Sequence, residues 1–219
     1  MTPWILLQLA DSALPTGGFA HSGGLEAALQ LGRCAGADGL ERFVAEALWS
    51  AGAAALPFVE AAHAAPERLE ALDRRADAAL PEAIANRASR AQGRAFLRAA
   101  AAIAPDAIAP LATRVEAARL PGHLAPLFGA ALSRLGVPAA DARRLFLYQT
   151  ARGTLSAAVR LGVVGPFEAQ RLLARAAAGC DEILAATAGR PPEDAASAAP
   201  LLDLAQAHQD RLYSRLFRS

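Results

Sequence analysis

The sequence contains no lysine; all 22 of its basic residues are arginine, a choice that genomic base bias accounts for. The absence still removes chemistry. No phosphate loop with its lysine, no Schiff-base lysine and no lysine general base can exist here. Cysteine is nearly absent too. Cys34 and Cys180 have no local partner pattern, which suits a reducing compartment and a cytoplasmic location. Aromatic residues make up only 5% against 54% hydrophobic residues overall, with alanine dominant. Strands favour aromatic and β-branched residues, whereas alanine is the best helix former. Period-2 alternation is missing as well, so an all-α fold is expected. Charge of either sign is scarce in excess. The net value is +1, without the clustered cations that phosphate neutralisation requires, so no nucleic-acid partner is expected. No uncharged apolar run reaches the roughly 18 residues of a membrane span. The nearest, Ala47 to Val59, is interrupted by Pro57. The apolar start lacks a basic region before it, the first arginine being Arg33, so no signal peptide and no membrane association are expected.

What is present reads as one domain over residues 1–219, punctuated by Gly and Pro into about ten helices, with a flexible tail from about residue 212. A short helix over Trp4 to Ala10 precedes Leu14-Pro15-Thr16-Gly17-Gly18-Phe19, which cannot continue as helix. A helix restarts near Gly23 and stops at Gly32. Asp38 is placed to cap the next, which should end before Pro57. Further helices are expected from Pro57 to Pro66, from Pro66 to a break at Pro81, from Pro81-Glu82 to Ala104, and over 106–118 and 122–136. The longest should run from Pro138 to Leu161 with Gly162 as its stop. Gly165-Pro166-Phe167-Glu168 starts another to Thr187, 189–198 is a loop, and a last helix covers Pro200 to Leu212.

Catalytic readings fail on spacing. None of His21, His63, His123 and His208 forms a His-x-x-x-His pair, and neither cysteine lies near one, which argues against a preformed zinc or nickel site. Ser22 sits among glycines, but a nucleophile elbow needs glycine two residues before the serine, and that position is Ala20.

Three segments are distinctive. Asp11-Ser12-Ala13-Leu14-Pro15-Thr16-Gly17-Gly18-Phe19, followed by Gly24-Leu25-Glu26, is too polar and glycine-rich for core. The stretch from Phe146 to Gln149 runs through Ser156-Ala157-Ala158-Val159-Arg160-Leu161-Gly162, then Gly165-Pro166 and Gln170. The chain ends in Tyr213-Ser214-Arg215-Leu216-Phe217-Arg218-Ser219. In this order and at this spacing the three resemble the early, late and C-terminal signatures of the UreF family of urease accessory proteins. Weaker agreement lies at Ser89 to Arg94 and Gly122 to Gly136. One departure concerns the tail. The family often carries a His–acidic pair before the aromatic, and here Gln209-Asp210 stands in that place, with His208 one residue early.

The resemblance implies an all-helical, dimerising, non-enzymatic scaffold that binds UreD (UreH in some organisms) and the GTPase UreG, docks on apo-urease and assists GTP-dependent nickel insertion. No tightly bound cofactor is implied; transient nickel is. The implied partner contacts in the first segment are Asp11, Ser12, Pro15, Gly17, Gly18, Phe19, His21, Ser22 and Glu26, with His21 and Glu26 as transient nickel contacts. In the second they are Gln149, Arg152, Arg160 and Gln170, and in the tail Tyr213, Arg215, Leu216 and Phe217. Two physical alternatives stay open. An apolar tail either folds into a partner's groove or packs on its own body. Arg152, Ser156 and Arg160, at i, i+4 and i+8, either offer guanidiniums to partner carboxylates or pair and snorkel internally. A generic helical adaptor unrelated to urease is the alternative function.

Overall fold

A computed structural model describes residues 4–219, and among them the only regular structure is helical. The chain runs through α1 (Trp4–Ala10), α2 (Leu25–Gln30), α3 (Gly36–Ser50), α4 (Leu56–Ala64), α5 (Leu69–Ala79), α6 (Ala83–Ile103), α7 (Pro105–Ala117), α8 (Leu124–Arg134), α9 (Ala139–Arg160), α10 (Pro166–Ala186) and α11 (Pro200–His208). The all-α expectation holds. So do the stops at Gly32 and Gly162. Both adopt left-handed backbone, at φ +70° and +71°, and the amide after each closes back onto the preceding turn. Glu82, expected inside the first turn of α6, is its N-cap and accepts the Ala85 N–H at 2.6 Å.

Two helix boundaries differ from expectation. Asp38 does not cap α3; the helix begins at Gly36, and Asp38 lies in its first turn. Pro57 does not end the next helix. A π turn at Ala51–Ala55 joins α3 to α4 as one 29-residue helix, Gly36–Ala64. Proline lacks an N–H and its ring crowds the carbonyl four residues back, so the wider π turn ahead of it relieves both problems without breaking the axis. Gly52 lies in that turn, where a Cβ would meet Ile183 Cγ2 at 2.3 Å, so α10 packs directly on the widened backbone. Gly36–Ala64 is long and apolar enough to cross a bilayer, and half of its most apolar stretch is buried inside the fold.

At the centre lies α8. Its Leu127, Phe128 and Leu132 are fully buried, and Phe128 stacks between Phe96 of α6 (4.9 Å between centroids) and Phe146 of α9 (5.3 Å, edge to face). A buried polar clasp fixes the entry to this helix. Asp73, wholly inaccessible, accepts the N–H groups of Gly122 (2.8 Å) and His123 (2.7 Å). The His123 imidazole reaches Asp77 Oδ1 through Nε2 (2.9 Å) and Ser89 Oγ through Nδ1 (3.1 Å), while Ser89 Oγ accepts the Leu124 N–H. Burial pushes the Asp73 carboxyl up, and its two backbone hydrogen bonds oppose that shift. The bond from His123, then one from Asn86, holds Asp77 below the usual carboxylate range.

Candidate interaction site at the joined termini

The first distinctive segment builds a shaped turn. Asp11 accepts the Ala13 N–H at 2.8 Å in an Asx turn. Gly17 takes φ +73°, which starts a single 3₁₀ turn, Gly18–Ala20. Asp11, Ser12, Pro15 and Gly17 are exposed, Gly18 is half-buried, and Phe19 stands out 71% exposed. The chain then turns inward. Ser22 and Glu26 are buried, and Gly24, at φ +88°, lies so close to α11 that a Cβ would meet Gln206 Cγ at 2.9 Å.

The C-terminal segment fills this turn. Glu26 is the anchor. Its Oε1 accepts the Leu216 N–H at 2.6 Å, and its Oε2 accepts the Phe217 N–H at 3.1 Å and the Gln209 amide at 2.7 Å. The Arg218 N–H donates to the Ala20 carbonyl, and both the backbone N–H and the hydroxyl of Ser22 donate to the Ser219 carbonyl. His21 Nδ1 lies 2.6 Å from the Ser219 hydroxyl. Gln30 donates to the Ser214 carbonyl from the far end of α2. A tail flexible from about residue 212 does not describe this arrangement. Phe217 and Ser219 are buried, because a carboxylate and two serine donors satisfy the backbone they bring in. Of the two alternatives left open, packing on the chain's own body is the one observed. Tyr213, fully exposed, and Leu216, 55% exposed, remain on the outside.

The second segment enters through Arg160. Its guanidinium lies 3.4 Å from the Phe19 ring centroid and 4.4 Å from that of Phe217, and it donates to the Phe19 carbonyl. One cation therefore bridges the glycine turn and the tail. Arg160 takes the internal option, through aromatic faces rather than a carboxylate. Gln149 closes the end of α1 by donating to the Leu9 carbonyl at 2.7 Å. Arg152 is half-buried, with its Nε unpartnered, and Gln170 is exposed on α10; neither joins the cluster through a hydrogen bond among the described residues.

Arg87 escaped sequence reading, and Gln209 and Asp210 stood out only as the tail's departure from the family pattern, with no role assigned. Gln209 is wholly buried against Glu26, and Asp210 bridges Arg87 (2.9 Å) and Arg215 (2.5 Å). The positions that depart from the family's His–acidic pair are thus an internal amide and an ion-pair centre. No local signal gives them these roles, because Glu26 lies 183 residues from Gln209 and Arg87 lies 123 residues from Asp210.

Chemically the cluster holds structure together. The described residues contain no group of three or more His, Cys, Asp or Glu disposed to hold a metal ion. Glu26 has both oxygens occupied by N–H donors, so a nickel contact there requires the tail to leave. The Ser22 hydroxyl is spent on the Ser219 carbonyl. The clasp does bring together a serine, histidine and aspartate, Ser89, His123 and Asp77, but His123 is 1% exposed and the serine oxygen caps α8.

His21 carries a pH dependence. Burial, then the positive charges of Arg218 and Arg87, push its imidazole below the ordinary value of 6.5. The docked state therefore binds this proton more weakly than the undocked state. Tail docking should be strongest above pH 6.5 and should weaken as pH falls below it. Trypsin cleavage after Arg215 and Arg218 is expected to accelerate between pH 7.5 and pH 5.5, after correction for the protease's own profile, and His21→Gln should flatten that acceleration. An unchanged pH profile in the variant would remove His21 from the docking.

The matching family model, UreF, covers residues 34–177. The chain belongs to the UreF family. Similarity to individual UreF proteins extends to the termini that the family model leaves out. Urease accessory protein F of Arabidopsis thaliana is 37% identical over 221 aligned residues, covering 99% of this chain and 92% of the plant protein. Urease accessory protein UreF of Mycobacterium sp. (strain JLS) is 35% identical, covering 94% of each chain. That of Agrobacterium fabrum is 33% identical, covering 98% and 95%. The alignment with the plant protein thus takes in nearly the whole chain, well beyond residues 34–177.

Proposed function

We propose that this chain is a non-enzymatic scaffold of urease maturation. In this reading it works in the cytoplasm as a homodimer, binds UreD (UreH) and UreG, and docks with them on apo-urease while GTP hydrolysis drives nickel insertion. It makes and breaks no covalent bond itself, and nickel passes as cargo. The observation that carries the reading is the joining of the three family-like segments at one place. There Phe19, Tyr213 and Leu216 stay exposed beside a buried support that the Glu26 carboxylate ties together. Large apolar side chains held outward on a rigid base are what a docking surface needs.

The test has two parts. A urease-positive strain lacking its own UreF should recover nickel-loaded urease when given this chain; full nickel loading without any such protein would refute the reading. In vitro, the combined substitutions Phe19→Ala, Tyr213→Ala and Leu216→Ala should weaken UreD association by roughly tenfold or more, about 1.4 kcal/mol or above. Thermal stability should fall by little, because Tyr213 and Leu216 already face water and Phe19 gives up only its exposed stacking on Arg160, about 0.5–1 kcal/mol.

A further inference from the structure

Beside the docked tail lies an open cavity of about 330 Å³, lined by Arg87, Asp210, Arg215, Leu216, Phe217 and Arg218. Three arginines and one aspartate line it. Asp210 gives one oxygen to Arg87 and the other to Arg215, and those bonds hold its carboxyl below the usual range. Each of these two arginines spends one nitrogen on Asp210, so most of their N–H donors remain unused. The Arg218 side chain has no ion pair or hydrogen bond among the described residues. Asp210 thus arrays two guanidiniums without matching the charge of all three.

We propose that this pocket is a carboxylate-binding site that receives an aspartate or glutamate side chain of a partner protein. It rests on the reading above, that the joined termini are a docking surface. A second observation supports the positive field: Arg218 and Arg87, after burial, disfavour protonation of neighbouring His21. Protein carboxylate is favoured over nucleic-acid phosphate on two grounds. Leu216 and Phe217 form an apolar wall, and the chain's net charge of +1 gives no overall cationic excess for neutralising a phosphate backbone. Arginine forks match carboxylates in bidentate geometry, and the apolar wall lowers the competition from water.

The test uses the full chain and Arg218→Gln, which leaves every described hydrogen bond of the tail in place. Glutarate and inorganic phosphate are titrated at low salt while the arginine Nε–Hε resonances are followed by NMR. Glutarate should shift those of Arg218 and Arg87. UreD association should fall about tenfold in Arg218→Gln at 50 mM NaCl and by less at 300 mM, with unchanged melting temperature. Shifts with phosphate and none with glutarate would overturn the carboxylate assignment. Undiminished UreD association in Arg218→Gln, with loss in the Phe19/Tyr213/Leu216 triple variant, would overturn the pocket and leave the docking surface standing. Undiminished association in both would remove both.

Discussion

Glu26→Ala is expected to free residues 212–219 while leaving the α4–α8 core folded. The Glu26 carboxylate is 4% exposed and accepts three N–H groups, those of Leu216, Phe217 and the Gln209 side chain. Truncation leaves three donors facing a void, and a buried donor without an acceptor costs about 1–3 kcal/mol. What opposes release is burial of Phe217 and the stacking of Arg160 on its ring, worth about 2–3 kcal/mol in all, together with the bonds from Ser22 to Ser219 and from Arg218 to Ala20. The lost acceptors outweigh this, and the segment can escape by local opening without unfolding the rest. Amide exchange at Leu216 and Phe217 should accelerate by about 100-fold, corresponding to roughly 2.7 kcal/mol. Amides of α8 should be unaffected, and the proposed docking surface for UreD loses its base, so association should fall. Glu26→Gln is the informative partner. It keeps one acceptor oxygen but aims an NH₂ at a backbone donor, so its effect should approach that of alanine. Unchanged exchange at Leu216 and Phe217 in Glu26→Ala would show that Phe217 packing, rather than the carboxylate, holds the tail.

Helix composition and many helix ends were legible in the sequence, because short-range chemistry sets them. Gly32 and Gly162 stop helices through their own positive φ, and Pro166 starts one at a position where its missing N–H is not needed. The Pro57 region was not legible. The same residues that end a helix elsewhere are accommodated here by a π turn whose backbone packs on Ile183, 131 residues from Gly52. The site shows the same division. The glycine turn, the arginine face of α9 and the apolar tail were each visible as unusual. Their union was not, because Glu26 reads locally as an acid in the first turn of a short helix. Its role as an anchor depends on amides 190 and 191 residues away. Arg160 likewise reads as a charge awaiting a carboxylate until Phe19 and Phe217 appear on either side of it. Ser89, Asp77 and His123 look unremarkable apart; only the packing of α5, α6 and α8 makes them a clasp.

The contrast between local and long-range control also gives a prediction in which propensity and packing have opposite signs. Gly129 and Gly153 both lie inside helices, α8 and α9, and intrinsic helix propensity favours alanine at each by about 1 kcal/mol. At Gly153 a Cβ would meet nothing within 4 Å, so Gly153→Ala should follow propensity and stabilise the protein by about 0.5–1 kcal/mol. At Gly129 a Cβ would lie 2.1 Å from the Val59 carbonyl oxygen, 2.9 Å from its carbon and 3.1 Å from the His63 nitrogen. These are backbone atoms of α4, held in its own hydrogen-bond ladder, so no side chain can swing away. The two helices must separate, and α8 cannot retreat freely because Phe128 is locked between Phe96 and Phe146. Gly129→Ala should therefore destabilise by about 3 kcal/mol, lowering the melting temperature by about 6–12 °C, while Gly153→Ala raises it by a few degrees. Urea denaturation of the two variants beside the parent measures both signs at once. A neutral or stabilising Gly129→Ala would mean that α4 and α8 do not approach through bare backbone.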